Sequence, residues 1–498
     1  MSDTTRKSNR RDALKTIGGV LGGVSLLGQG PARGQSLASL PNGYKFYRVL
    51  RANQDLPSFG GVTNQLGDIT GSVMMATPQS RTGIGYVYIH GTLRTPDAPA
   101  AVFEVALNFS QTPPAVQSVR TIAVEGLTLN VDNTIIAPGR IGTGACNSQG
   151  QYVTTIEPIE GTNSVELYNS PGVYLYRAHG NGTGAWSRVI RFGDPVPEQD
   201  SFYGGDFGDV ALDNEENLLL AAATTQSPSG SVSGFAGSQA LIATTLSSTR
   251  RGGVLLQTGQ MLPLGSAVVE SVGLVDLAAR NAFAAQITAR NLGPGITRSG
   301  TAVIVGNIQV QGQQALVAAS PELIPAKMAQ DRNIPLGEIY FGPRVDQMQD
   351  VAFVTHDGTF QPTVGSNAIE KLAYYSRGSA RIIESTQISG ASNSLASLGA
   401  PCIGSTGLMY GTEMMGSGKT HIYVSNGVNS QIVLHEGQRI GGRAPTDDLM
   451  VTEILFGQHP TQVDAFGNLV FAAEFQIDPR REPVEGNVMT ALVVGIPQ

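Results

Sequence analysis

Short apolar runs recur along the chain, and clusters of Gly, Pro, Asn and Ser separate them. The clearest runs are YVYI (86–89), VYLY (173–176), ALIA (240–243), AVIV (302–305), LAYY (372–375), HIYV (421–424) and ALVV (491–494). This pattern is typical of β-strands joined by tight turns. Beyond the N-terminus no long segment has the apolar spacing of an amphipathic helix, so the chain is predicted to be all-β.

A second set of apolar runs follows most members of the first set. Its members are RVIR (188–191), GVLLQTGQ (253–260), ALVAAS (315–320), RIIES (381–385) and IVLHEGQ (432–438). Near the N-terminus, RVLRANQDLP (48–57) is similar to RVIRFGDPVP (188–197) but has no partner before it. Two consecutive runs with a short connection predict a hairpin.

A turn motif, Asx-x-x-Gly, precedes each pair of runs. It is placed at Asn64, Asn147, Asp213, Asp276, Asp346, Gly404 and Asp464. Asn or Asp bonds its own backbone to begin a type I turn, and the Gly closes the turn in the left-handed conformation. Glu216, Ala279 and Gln349 replace that Gly, which predicts strained or differently shaped turns in three copies.

The repeat spacing predicts the architecture. Each unit holds about four strands in roughly 60 residues, and seven such units predict a single β-propeller of seven blades over residues 39–498. A sandwich and an open solenoid are the alternatives, because strand number alone does not close a ring. We expect the N-terminal strand (46–51) to pair with the C-terminal strand (489–495), which would hide two exposed sheet edges.

The turn motif and the element that precedes it resemble a known family. The preceding element has the form G-D-x-x-P and reads GDPVP at 193–197, GQMLP at 259–263 and GQRIG at 437–441. Over residues 44–498 the chain resembles bacterial exported proteins with tandem NxxGxxAF repeats. The resemblance implies a propeller-like exported protein and no established activity.

Residues 1–38 are predicted to be a twin-arginine export signal. Arg10 and Arg11 lie in a basic segment, a Gly-rich apolar stretch (17–27) follows, and small residues suited to cleavage come before residue 39. The expected location is the periplasm or the extracellular space, with the twin-arginine translocase as partner during export.

Charge narrows the class of partners. The whole chain carries −7, and the leader carries six basic and two acidic residues, so the remainder carries −11. An acidic chain without Lys or Arg clusters repels phosphate backbones, and nucleic acid is therefore excluded as an expected partner. No run of 18 apolar residues follows the leader, so no transmembrane segment is predicted after it.

Cysteine and histidine give no sign of a metal site. Cys146 and Cys402 are interpreted as buried thiols, with a disulfide as the alternative. The spacing of the six histidines does not suit zinc. The acidic turn DNEEN (213–217) could offer oxygen ligands to Ca²⁺, and a solvated turn is the preferred interpretation. The expected cofactor is none, with Ca²⁺ as the one ion left open.

Candidate ligand-binding residues come from the propeller geometry. Long loops fall on the face opposite the Asx turns, and binding sites on rigid scaffolds usually lie in such loops. The acids expected at the channel mouth on that face are Asp206, Asp209, Glu270, Glu338 and Glu453. No catalytic residue is assigned.

Two hypotheses for function remain. The first is an exported, non-catalytic binding or scaffold propeller whose partner is an extracellular polymer, a protein or a small ligand. The second is a propeller hydrolase or lyase that acts on an extracellular polymer such as polysaccharide. Convergent acids, His or Arg at one channel mouth would favour the second hypothesis, and a channel lined by small and apolar residues would favour the first.

Overall fold

The structure is a computed structural model that describes most of residues 40–498. The segments outside the description are 1–39, 60–61, 70–71, 160–169, 180–182, 229–237, 263–266, 293–297, 311–313, 321–322, 324–338, 347, 358–368, 377–378, 387–394, 405–406, 415–416, 442–447, 458, 460, 479, 481–482 and 484–486. The predicted signal, with Arg10 and Arg11, and the predicted site residue Glu338 therefore lie outside the described residues.

Strands are numbered in chain order and grouped into sheets. The first three are β1 (Tyr44–Arg51) and the hairpin β2 (Asp55–Phe59) and β3 (Val62–Gln65). Sheet 1 contains β4 (Val73–Met75), β5 (Ile84–Thr92), β6 (Ala100–Asn108) and β7 (Ala115–Val124). Sheet 2 contains β8 (Leu129–Val131), β9 (Thr134–Ile136), β10 (Pro138–Ile141), β11 (Ala145–Cys146), β12 (Gln151–Pro158), β13 (Gly172–His179) and β14 (Thr183–Arg191).

The next two sheets have four strands each. Sheet 3 contains β15 (Phe202–Leu212), β16 (Asn217–Thr225), β17 (Ser238–Thr245) and β18 (Ser248–Gln257). Sheet 4 contains β19 (Ala267–Ala278), β20 (Ala282–Asn291), β21 (Arg298–Asn307) and β22 (Ala315–Ala319). A single 3₁₀ turn, Ala279–Asn281, joins β19 to β20.

The last three sheets complete the ring. Sheet 5 contains β23 (Ile339–Val345), β24 (Val351–Asp357), β25 (Ile369–Ser376) and β26 (Ser379–Ser385). Sheet 6 contains β27 (Leu395–Leu398), β28 (Cys402–Gly404), β29 (Gly407–Met414), β30 (Thr420–Ser425) and β31 (Ser430–His435). Sheet 7 contains β32 (Arg439–Ile440), β33 (Leu449–Leu455), β34 (Leu469–Gln476), β35 (Val488–Pro497) and β1.

The hydrophobic core lies between the sheets. Each core cluster draws its buried side chains from two neighbouring sheets: Leu219 and Phe283 belong to the cluster between sheets 3 and 4, and Phe103 and Leu492 to the one between sheets 1 and 7. Both faces of a typical sheet are therefore covered, which explains why the strands read as continuous apolar runs. The sheets form the all-β propeller that the repeats predict.

The two chain ends close the ring, as predicted. β1 pairs antiparallel with β35 from Tyr44 opposite Pro497 to Arg51 opposite Ala491. On the other side of the closure, β34 of sheet 7 contacts β4 of sheet 1. This pairing rules out the open solenoid.

The prediction of seven blades with four antiparallel strands each is wrong in detail. Six sheets are antiparallel throughout, whereas sheet 2 also contains a parallel pairing in which Trp186 of β14 lies opposite Val131 of β8. Sheets 6 and 7 have five strands each, and sheet 2 has seven, of which β8 and β9 form an additional hairpin. Asp132 (φ 49°) and Asn133 (φ 64°) supply the left-handed conformations that a two-residue hairpin turn needs.

Four of the seven predicted Asx turns form directly before β12, β16, β24 and β34. In each, the backbone N–H of the Asx residue donates to the carbonyl four residues later: Asn147 to Gln151, Asp213 to Asn217, Asp346 to Asp350 and Asp464 to Asn468. Glu216 and Gln349 both have φ of 64°, so the expected strain at these Gly-free turns is confirmed.

Two of the other three placements of the motif are wrong, whereas the one at Gly404 does mark a hairpin, in which Gly404 of β28 pairs with Gly407 of β29. Asn64 lies in β3. Asp276 lies inside β19, because the turn of sheet 4 comes later, where Arg280 (φ 63°) and Asn281 (φ 62°) adopt the left-handed conformation. Ala279 therefore does not take the position of the missing Gly. The Asp276 side chain is therefore not part of the turn.

Candidate ligand-binding cavity

A cavity of about 520 Å³ is lined by β11, β15, β19 and β23 of sheets 2 to 5 and by the segments that follow β27 of sheet 6 and β33 of sheet 7. Sheets 2 to 7 all contribute to its wall, which is mostly apolar and includes Ala145, Ala211 and Phe456. Four ionisable side chains interrupt this wall: Asp209, Asp276, Arg344 and His459. They come from four different sheets, so only the closed ring brings them together.

Two carboxylates of the cavity connect neighbouring sheets. Asp209 Oδ2 accepts a hydrogen bond from the backbone N–H of Val275 at 3.0 Å, and Asp276 Oδ2 accepts one from that of Val345 at 2.8 Å. Burial raises the pKa of Asp209 to about 6 and also raises that of Asp276, although the positive charge of Arg344 partly opposes both shifts. Asp209 can therefore gain or lose a proton near neutral pH.

Arg344 is the least satisfied polar group of the cavity. Its side chain is 7% exposed, and its Nη1 donates to the adjacent Pro343 carbonyl at 3.2 Å. Its buried Nε has no hydrogen-bond partner among the described residues. A buried donor left unpaired costs about 1–3 kcal/mol. An acceptor atom on a bound ligand would remove this cost.

His459 lies on a segment that leaves sheet 7 and crosses to other sheets. Its Nε2 donates to the Gly144 carbonyl of the loop before β11 at 2.8 Å, and its Nδ1 accepts from Thr461 Oγ1 at 2.9 Å. Cys402 Sγ donates to the His459 carbonyl, and the Met75 N–H donates to the Thr461 carbonyl. Burial, and then the charge of Arg344, lower the pKa of His459 to about 3, so the ring is neutral.

Of the four predicted site acids that the structure describes, only Asp209 lines this cavity, and the fifth, Glu338, lies outside the described residues. Asp206 is exposed on the same strand. Glu270 forms an ion pair with Arg290 at 3.2 Å and accepts from Ser299 Oγ at 2.6 Å. Glu453 is exposed and lies opposite Glu474 of β34. The ligand-binding role of these residues stays a prediction.

Sequence reasoning missed Asp276, Arg344 and His459. A positional signal existed for Arg344, which lies two residues before the Asx turn of its sheet. Ala145 and Ala211 occupy the same position before their turns and line the same cavity. The other strands have small residues at this position, which faces the cavity because alternate residues of a strand share one face. A charged residue there therefore indicates a binding site.

The acidic turn at 213–217 uses its oxygen atoms within the turn. The Asp213 carboxylate accepts hydrogen bonds from the N–H of Glu215 at 3.0 Å, the N–H of Asn217 at 2.8 Å and Asn217 Nδ2 at 2.7 Å. In the described part of the chain, no three His, Cys, Asp or Glu side chains lie together as metal ligands would. Cys146 and Cys402 are buried free thiols. None of the described helices has the length and apolar character needed to cross a membrane.

The sequence matches no family model and no curated protein. The structure is similar to the polysaccharide lyase Uly1, at 11% identity and a TM-score of 0.42 over 92% of this chain and 99% of that one. It is also similar to the β-propeller domain of the trilobed protease from Pyrococcus furiosus, at 6% identity and a TM-score of 0.38 over 80% and 91% of the two chains. At these values the similarity concerns the fold alone.

Proposed function

We propose that the protein is an exported, non-catalytic binding propeller that holds a small polar ligand in its central cavity. The observation that supports this proposal is the buried Arg344 guanidinium with its unpaired Nε. A protein seldom buries such a donor without an acceptor for it. The cavity volume of about 520 Å³ suits a small molecule and not a folded partner.

The side chains of the cavity define the chemistry of the ligand. A guanidinium binds carboxylate or sulfate oxygens with strong, directional hydrogen bonds. Asp209 and Asp276 can accept from hydroxyl or ammonium groups on the same molecule. The apolar wall suits a carbon skeleton. A hydroxylated or aminated carboxylic acid, such as a sugar acid or an amino acid, fits this set of groups.

Calorimetric titration of the protein with sugar acids, amino acids and sulfate tests the proposal. We expect one ligand per chain, and a loss of affinity of about 10-fold or more in Arg344→Gln, since a charged hydrogen bond is removed. Arg344→Lys keeps the charge without the planar donor fork and should lose less. Asp97→Asn, which changes an exposed acid outside the cavity wall, is the matched control and should bind as the wild type does. Unchanged affinity in Arg344→Gln would contradict the proposal.

The second candidate function is hydrolysis or elimination on an extracellular polymer such as polysaccharide. One observation favours it: the pKa of Asp209 lies at about 6 within the cavity, which suits a general acid or base. Turnover of a polysaccharide panel that disappears in Asp209→Asn, with binding retained, would establish this function. If the wild type binds but turns nothing over, the binding function stands.

The export part of the proposal rests on the N-terminal sequence. If residues 1–38 direct the twin-arginine translocase, the double variant Arg10→Lys, Arg11→Lys should accumulate as uncleaved precursor in the cytoplasm. Fractionation and immunoblotting measure this directly. Normal secretion of the double variant would refute the twin-arginine assignment and leave the cavity unaffected.

A further inference from the structure

Two histidines face each other on the outer strands of sheet 6. His421 of β30 lies directly opposite His435 of β31, and their ring centroids are 5.9 Å apart with an interplanar angle of 35°. β31 is the last strand of its sheet, and His435 is exposed. The pair is invisible to a search for short metal-binding motifs, because strand register and not sequence spacing brings the two rings together.

The hydrogen bonds of the two rings are alike. His421 Nδ1 donates to the Lys419 carbonyl at 3.2 Å, and His435 Nδ1 donates to the Glu436 carbonyl at 2.7 Å. A carbonyl oxygen can only accept, so each neutral ring carries its proton on Nδ1 and its lone pair on Nε2. Neither Nε2 has a partner among the described residues. Imidazoles that ligate metals are commonly oriented by such a bond from the other nitrogen.

The surroundings keep the rings available to a metal ion. The Glu436 carboxylate is already engaged by the N–H and hydroxyl of Thr420. Tyr423 flanks the pair, with its ring centroid 6.4 Å from that of His421. Two imidazole rings are thus left open to solvent on one sheet face.

We propose that His421 and His435 form a two-imidazole site for a borderline divalent transition-metal ion, with water in the remaining coordination positions. Imidazole nitrogen suits Cu²⁺, Ni²⁺ and Zn²⁺, with bonds of about 2.0–2.1 Å in the case of Zn²⁺. Among these ions, Cu²⁺ binds such nitrogen ligands most strongly. The site is separate from the central cavity and does not depend on the function proposed for it.

The test uses the tag-free full chain and Cu²⁺ as the probe. Calorimetry should give one Cu²⁺ per chain, and electron paramagnetic resonance should show coupling to two imidazole nitrogens. His435→Gln or His421→Gln should each weaken binding by about 10-fold or more, because a second ligand on the same surface acts at high effective concentration. Zn²⁺ should compete for the same site.

The matched control is His179→Gln, which changes an exposed strand histidine that lies opposite a threonine. We expect Cu²⁺ binding in this control to equal that of the wild type, and near-ultraviolet circular dichroism to be unchanged in all three variants. Equal Cu²⁺ affinity in His435→Gln and the wild type would overturn the proposal. So would a spectrum with no imidazole coupling.

Discussion

Two sets of buried or half-buried carboxylates in this propeller differ in how completely they are hydrogen-bonded. Asp213 and Asp464 belong to the Asx turns, and Asp209 and Asp276 belong to the cavity. Burial raises the pKa of Asp213, Asp464 and Asp209 alike, to about 6 in each case. The pKa shift therefore does not distinguish the two sets. The two sets differ in the groups that donate hydrogen bonds to them.

The carboxylate of Asp464 accepts three hydrogen bonds from its own turn. The donors are the N–H of Phe466, the N–H of Asn468 and Asn468 Nδ2, each at 2.8 Å. The cavity carboxylates instead accept from the next sheet and lie near a guanidinium with an unpaired donor. Complete local hydrogen bonding indicates a structural role, and an unpaired buried donor indicates a role in binding.

Asp464→Ala should have the largest effect on stability. The change leaves up to three donors without an acceptor at a buried position, and we expect the free energy of unfolding to fall by about 3 kcal/mol. Urea denaturation measures the loss. Asp464→Asn keeps one oxygen acceptor and should cost less than half as much. If the alanine variant is as stable as Asp206→Ala, the turn carboxylates are not structural and the comparison fails.

Arg344→Met should have a smaller effect, and one that depends on pH. The guanidinium opposes the raised pKa of Asp209 and Asp276, so removing it costs stability only while these carboxylates are ionised. We expect a loss of about 1–2 kcal/mol at pH 8 and a smaller loss at pH 5, where Asp209 is mostly protonated. Equal losses at both pH values would show that the charges do not interact.

Asp209→Asn isolates the titration of one cavity acid. In the folded protein its pKa is about 6, above the value of 3.8 for an unperturbed Asp, so between these two pH values the folded state binds more protons. Stability conferred by this group therefore rises as pH falls from 7 to 5. The wild type should gain stability relative to Asp209→Asn over this range. Parallel pH profiles of the two proteins would place the pKa of Asp209 outside it.

The same titration should affect ligand binding. Below about pH 6, Asp209 loses its negative charge, and the net charge beside Arg344 becomes more positive. A carboxylate ligand should therefore bind more tightly to the wild type at pH 5.5 than at pH 7.5, as long as the ligand remains ionised, whereas Asp209→Asn should show little change. Calorimetric titration at both pH values distinguishes these outcomes.

The sequence predicted the elements of the fold better than their details. Continuous apolar runs located the strands, because sheets covered on both faces need apolar residues at successive positions. Ring closure followed from two terminal strands without partners. The β8–β9 hairpin was missed because its strands are only three residues long. Asp276 was misassigned because Asx residues occur in turns and also on inward-facing strand positions.

The candidate site was less predictable than the fold. The sequence suggested Asp209, which lines the cavity, but the positions of Arg344 and His459 depend on contacts between sheets far apart in the chain. His459 bonds to Gly144, 315 residues earlier. No local pattern encodes such a contact. The prediction chose acids only by their position near long loops. It therefore also included Glu270 and Glu453, whose charged contacts lie within their own sheets.

Glu453→Gln should have the smallest effect on stability, and it should stabilise the protein where the other changes destabilise it. Glu453 of β33 lies opposite Glu474 of β34. Burial raises the pKa of Glu474, and the negative charge of Glu453 raises it further. Like charges in directly opposed strand positions destabilise a sheet, so the glutamine variant should gain about 0.5 kcal/mol at pH 7. The gain should vanish as pH falls through the raised pKa of Glu474, because protonation already removes the repulsion. Ligand affinity measured on the same variant tests the predicted binding role of Glu453, and an unchanged affinity would agree with its position outside the cavity wall. A variant that loses affinity while gaining stability would return Glu453 to the binding site and separate it from the structural acids.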